Sequence, residues 1–106
     1  MPLNSDPRRE RRSQLVRLLQ QHKAPAIAIT HLPNVRYLCG FTGSNALLLV
    51  SARECILYTD PRYDIQAAQE CDVPVRVVRG ALWPEAAKEI RRRRLFRLAL
   101  EADKVS

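Results

Sequence analysis

The sequence predicts an α/β domain, a mixed β-sheet of about five strands flanked by helices. Three observations lead there. Strand-length apolar runs alternate along the chain with segments of helical periodicity. Two helix starts share one signature, aspartate then proline, at Asp6-Pro7 and Asp60-Pro61. The carboxylate accepts from open first-turn N–H groups, and proline fills a position whose own N–H has no intrahelical partner. Finally, Asn45 to Val50 and Cys55 to Thr59 are apolar almost throughout, the pattern of strands buried on both faces. The intervening Ser51-Ala-Arg-Glu54 has hairpin length, so the sheet is mixed.

Taken in order, residues 1–6 read as a loose leader. A first helix over about 7–22 puts Leu15, Leu18, Leu19 and His22 on one face and its arginines toward water. Ala26 to Ile29 is the first strand, followed by a turn through Thr30-His-Leu-Pro33. Pro33 to Leu38 is one or two helical turns, and Gly40 and Gly43 then allow a loop with positive φ or a close backbone approach. The hairpin strands follow. A helix from Asp60-Pro61 to about Glu70 leads to a strand over Val75 to Val78. Trp83-Pro84 starts a helix to about Arg94, with Trp83, Ala86, Ala87 and Ile90 inward, and Arg97 to Leu100 is the last strand. The chain stops soon after, and the expectation is a single domain over 1–106 cut at a domain boundary.

At 106 residues the chain is one domain. With 46% apolar and 27% charged residues it is a folding sequence and not a disordered one. Its longest apolar run, Ala46 to Val50, falls far short of the roughly 18 residues that span a bilayer, so no membrane partner is expected. The polar, charged start is unlike a signal peptide, and a cytoplasmic location is expected. Cys39, Cys55 and Cys71 are odd in number with no CxxC pair, which implies free thiols, not a disulfide framework or a zinc knuckle. His31 is the sole candidate base near Cys39 in sequence. The net charge of +7 comes mainly from Arg8-Arg9-Glu10-Arg11-Arg12 and from Arg91 to Arg94 with Arg97. Such runs suit a nucleic-acid footprint or solvated helix faces. No aromatics interleave with them, which favours solvated faces and no nucleic-acid partner.

No self-contained active site is legible. The chain has two histidines, His22 and His31, and lacks HxxxH, HExxH, GxSxG, Walker and GxGxxG patterns. Ser44 has no identifiable base. A two-metal hydrolase needs several carboxylates and a histidine converging on one point. Arg62 calls for explanation, because a cation in the first turn of a helix opposes the dipole by about 0.3–1 kcal/mol. It also follows a strand's C-terminal end, where open α/β sheets place ligand crevices. Two readings stay open: a bidentate grip on a substrate carboxylate, or an ion pair with Asp60 or Asp64 that knits the turn. Tyr37 and Phe41 flank the glycine loop, either as core rings or as a recognition wall.

The joint pattern Asn34-x-x-Tyr37-x-x-Gly40-Phe41-x-Gly43-Ser44, then Asp60-x-Arg62-Tyr63-x-x-Gln66-Ala67-x-x-Glu70, closely resembles the N-terminal domain of the creatinase/prolidase/Xaa-Pro aminopeptidase family. The match is dense over about residues 31–70, and the flanks follow in element order. Pro61 departs from it, standing where many members have glycine. The resemblance implies a ribonuclease-H-like mixed-sheet sandwich that accompanies a C-terminal "pita-bread" catalytic domain. That second domain binds two divalent metals (manganese, cobalt or zinc) through two Asp, one His and two Glu, none of which carries over here. What carries over is a substrate-binding role for Arg62, with the aromatics Tyr63 and Phe41 near it; no catalytic or metal-binding residue is expected in the chain. The Gly-Phe-Thr-Gly-Ser form leans toward an aminopeptidase or dipeptidase acting on short Xaa-Pro peptides. Implied partners are the chain's own catalytic domain and a second copy in a homodimer. The rival expectation is a free-standing, non-enzymatic interaction or dimerisation module of the same fold.

Overall fold

In the computed structural model, which describes residues 6–94 and the backbone of 99–100, a five-stranded mixed sheet runs β4-β3-β2-β1-β5. The strands are β1 (Ala26–Ile29), β2 (Ala46–Ser51), β3 (Cys55–Thr59), β4 (Val75–Val77) and β5 (Ala99–Leu100). β1, β2 and β3 pair antiparallel as sequential neighbours, while β4 joins β3 and β5 joins β1 in parallel. The hairpin register sets Ala46 against Thr59 and Val50 against Cys55. The helices are α1 (Pro7–Gln21), α2 (Leu32–Cys39), α3 (Asp64–Glu70) and α4 (Leu82–Arg92).

Period-two alternation divides the core. Ala46, Leu48 and Val50 of β2, with Cys55 and Leu57 of β3, meet α1, α2 and α3 on one face. Leu47 and Leu49, with Ile56 and Tyr58, meet α4 on the other. β2 is therefore buried from Ala46 to Val50 and β3 throughout, as their continuous apolarity predicts.

The caps form as expected at Asp6, whose carboxylate accepts from the N–H of Arg8 with Pro7 at the first helical position. At Asp60 the expected helix begins instead as a 3-10 turn, Pro61–Tyr63, before α3 proper. Short tight turns of this kind are frequent at helix starts. α2 is a full eight-residue helix. α1 and α4 stop as Lys23 and Arg94 adopt left-handed φ of 57° and 58°.

The phase of two helices differs from the sequence expectation. Leu18 and His22 are exposed, and the inner stripe of α1 is Arg8, Arg12, Leu15, Val16 and Leu19. Trp83 is exposed and Leu82 is buried in its stead, so the inner face of α4 is Leu82, Ala86, Glu89 and Ile90. The arginines of α1 do not all face water either. Arg12 donates to the carbonyl of Leu38 at 2.8 Å and forks onto Asp72 through two 2.8 Å bonds. Arg11 donates to the carbonyl of Tyr37 at 2.9 Å and lies 4.1 Å over its ring. In α4, Arg92 and Arg93 both bond Glu89, as does Arg76 of β4. Arg97, the first half of the expected last strand and the expected leader before Asp6 lie outside the described residues.

Candidate functional site

The site is built where α2 hands over to β2 and β3 hands over to α3. Gly40 ends α2 with φ +89°, its N–H bonded to the carbonyl of Arg36 at 2.8 Å. A Cβ there would run into the guanidinium of Arg8 and stand 2.9 Å from the carbonyl of Glu70. Both the left-handed backbone and the close approach require glycine. Gly43 answers to packing: a Cβ there would strike the ring of Phe41 and lie 2.9 Å from Tyr63 Cδ1.

Arg8 holds the C-terminal ends of α2 and α3 together. Its Nη1 donates to the carbonyl of Cys39 at 3.0 Å and to that of Glu70 at 2.6 Å. Asp6 engages its Nε, so the guanidinium is fixed from both sides. Glu70 then reaches up to the loop, accepting from Thr42 N and Thr42 Oγ1 at 2.8 Å each. Gln66 Nε2 donates to Thr42 Oγ1 at 2.9 Å. The backbone N–H of Thr42 foremost, with its hydroxyl and Gln66, holds the Glu70 carboxyl below its ordinary range. Gln66 and Glu70 share one face of α3 at the four-residue spacing; in the sequence both stand out only within the family pattern. Arg8 gave no sequence signal, being 31 and 62 residues from its partners.

Phe41 and Tyr63 meet edge to face, centroids 5.5 Å apart at 87°. Phe41 is only 1% exposed. It is a core ring that supports Tyr63 from beneath, and not an outward wall. The Tyr63 hydroxyl lies 2.5 Å from Ser44 Oγ, and this bond lowers the phenol's pKa. Tyr37 is exposed but covered on one side by Arg11.

Arg62 pairs with Asp60 and not with Asp64. Nε and Nη2 donate to the two carboxylate oxygens at 3.0 and 2.9 Å, while the backbone N–H of Arg62 and Nδ2 of Asn45 complete the carboxylate's shell at 2.9 and 2.7 Å. These bonds, Arg62's side chain first, hold the Asp60 carboxyl far below the usual carboxylate range. The arginine side chain is nevertheless 68% exposed, and its carbon Cζ lies 5.1 Å from the Tyr63 centroid. Arg62 thus knits the turn through Nε and Nη2 while the rest of its guanidinium meets solvent. Beside the loop, a cleft of about 390 Å³ is lined by Leu32, Pro33, Arg36, Phe41, Gly43 and Ser44, among others.

The arrangement can hold an anionic or aromatic-stacking group, but it contains no acid–base pair disposed for hydrolysis. Among the described residues no group of three or more His, Cys, Asp or Glu could hold a metal ion. The carboxylates nearest the loop, Asp60 and Glu70, are already engaged by neighbours. A two-metal centre does not fit these residues. No described helix is long and apolar enough to cross a membrane.

The family model of the creatinase/prolidase N-terminal domain matches residues 11–106. A Xaa-Pro aminopeptidase of Caenorhabditis elegans is 50% identical over 38 residues, which are 36% of this chain and 6% of the relative. The N-terminal domain of the cytoplasmic peptidase PepQ from Mycobacterium tuberculosis superposes with TM-score 0.83 at 35% identity, covering 92% of this chain and 76% of that one. The X-Pro aminopeptidase of Thermotoga maritima does so with TM-score 0.80 at 31% identity, covering 90% of this chain and 28% of its own. The chain thus spans a small part of the Caenorhabditis elegans and Thermotoga maritima aminopeptidases.

Proposed function

Because the chain belongs to the creatinase/prolidase N-terminal domain family, we propose that it is the non-catalytic N-terminal domain of a metal-dependent Xaa-Pro aminopeptidase or dipeptidase. It shapes the entrance through which short Xaa-Pro peptides reach a catalytic domain. The observation that carries this reading is the exposed guanidinium of Arg62, set by Asp60 and Tyr63 at the end of β3 beside the Gly40–Ser44 loop. A cation fixed in this way offers a fork to a peptide carboxylate without reorganising. Tyr63 forms the neighbouring wall, with Phe41 beneath it. The hydrolytic chemistry, with its manganese, cobalt or zinc, belongs in this reading to the partner catalytic domain, and the same reading has the domain supporting a homodimer in the cytoplasm. Relatives named as Xaa-Pro aminopeptidases and as a cytoplasmic peptidase support it.

The test is direct. The purified chain, given manganese and a Xaa-Pro dipeptide, is expected to hydrolyse nothing above a blank. Turnover well above it would overturn the reading. Light scattering on the same sample tests whether the chain alone forms a dimer.

A further inference from the structure

The three cysteines are not equivalent. Cys55 is buried on β3, and burial pushes its thiol up to about 12, so it stays protonated and inert. Cys39 and Cys71 stand at the C-terminal ends of the two helices that flank the site, α2 and α3. Cys39 is the last residue of α2, and Cys71 is the C-cap of α3. The single Nη1 of Arg8 lies 3.0 Å from the carbonyl oxygen of Cys39 and 2.6 Å from that of Glu70, the residue before Cys71. The chain at Gly40 approaches Glu70 so closely that a side chain there would meet its carbonyl. Both cysteines join one apolar cluster, Cys39 fully enclosed and Cys71 half-buried. A hydrogen bond between the two thiols lowers the pKa of Cys39 and raises that of Cys71, which leaves the proton on Cys71.

We infer that Cys39 and Cys71 form an oxidisable dithiol beneath the Gly40–Ser44 loop, a site of disulfide formation whose co-substrate is a small hydroperoxide. Two helix ends pinned to one guanidinium nitrogen bring the backbones beside these cysteines close together, the first requirement of a disulfide. Peroxide approaches the pair from the Cys71 side, because Cys71 alone of the two meets solvent. With the shared proton resting on Cys71, the Cys39 thiolate attacks the peroxide oxygen, giving a sulfenic acid on Cys39 and an alkoxide or hydroxide that leaves as alcohol or water once it takes up a proton. The Cys71 thiol then displaces the sulfenic hydroxyl as water, forming the S–S bond. Two thiols are oxidised and one peroxide O–O bond is reduced. The product ties the C-terminal end of α2 to that of α3 and fixes the base of the loop that Glu70 and Thr42 hold from above.

Hydrogen peroxide is the probe. After treatment, the intact chain is expected to lose two hydrogens in mass, and denaturing alkylation is expected to label one thiol, Cys55. A non-reducing peptide map should link the segments containing Cys39 and Cys71, and Tm should rise by about 10 °C or more and return on reduction with dithiothreitol. Cys71→Ser, at a half-exposed position, should fold and show neither change. Three alkylatable thiols, a stable oxygen adduct on Cys71 beside a free Cys39, or a two-hydrogen loss that persists in Cys71→Ser would each overturn the inference.

Discussion

Arg62 is held by Asp60 through two bonds while 68% of its side chain stays in water. Pairs this exposed contribute little to folding. Arg62→Ala should leave the Tm of the chain nearly unchanged, yet lower kcat/KM for a Xaa-Pro substrate in an enzyme that carries the catalytic domain. A large fall in Tm with unchanged kinetics would reduce Arg62 to a turn-knitting residue. Tyr58 makes the opposite case. Its hydroxyl is buried with no hydrogen-bond partner among the described residues, and burial raises its pKa. An unmet buried donor costs free energy, so Tyr58→Phe should be neutral or should stabilise by up to about 1 kcal/mol in urea titration. Of the two, only Arg62 was visible in the sequence, because a cation in a helix's first turn contradicts local electrostatics. A tyrosine in an apolar strand contradicts nothing until its neighbours are known.

At the level of elements, α1 shows where periodicity misled. Arg8, Arg12, Leu15, Val16 and Leu19 recur at the helical period, so the buried stripe begins with two arginines. Assigning those arginines to water rotates the face onto Leu18 and His22. The same happened in α4, where Glu89, 3% exposed, takes an inner position because three arginines meet its carboxylate. The caps at Asp6 and Asp60 were legible because their partners lie two residues away; the carbonyls that Arg8 reaches are not local, and no pattern announces them. Arg8→Ala should therefore cost about 2 kcal/mol, since charged donors to part-buried carbonyls are worth more than neutral ones, and lysine should restore only part of it for lack of a fork. Arg9→Ala, at an exposed position, should stay within about 0.5 kcal/mol. Gly40→Ala combines a left-handed backbone with displacement of that guanidinium, and a loss of about 2 kcal/mol or more is expected in the same titration.

Over the whole molecule, the two-faced sheet was legible because β2 and β3 alternate between two apolar sets with no polar side left over. The charge balance was not, because several arginines counted as solvent-facing are bound within the fold. This has a pH signature. Burial alone would raise the Glu89 carboxyl, but hydrogen bonds from Arg93, Arg76 and Arg92 outweigh it and bring it from 4.5 to about 2. Arg8 likewise brings Asp6 from 3.8 to about 2. A carboxyl depressed by folding stabilises above its unfolded pKa and loses that contribution as pH falls through the folded one. Tm should thus hold steady above about pH 5 and decline between about pH 4.5 and 2, followed by circular dichroism. The strand order has a kinetic corollary. β1, β2 and β3 are consecutive in both sequence and space, so residues 26–59 need little loop closure, whereas β5 must return in parallel to β1. Since local pairings form ahead of distant ones, the middle of the polypeptide should gain hydrogen-exchange protection first, and α1 and β5 should be the last to zip and the first to peel away.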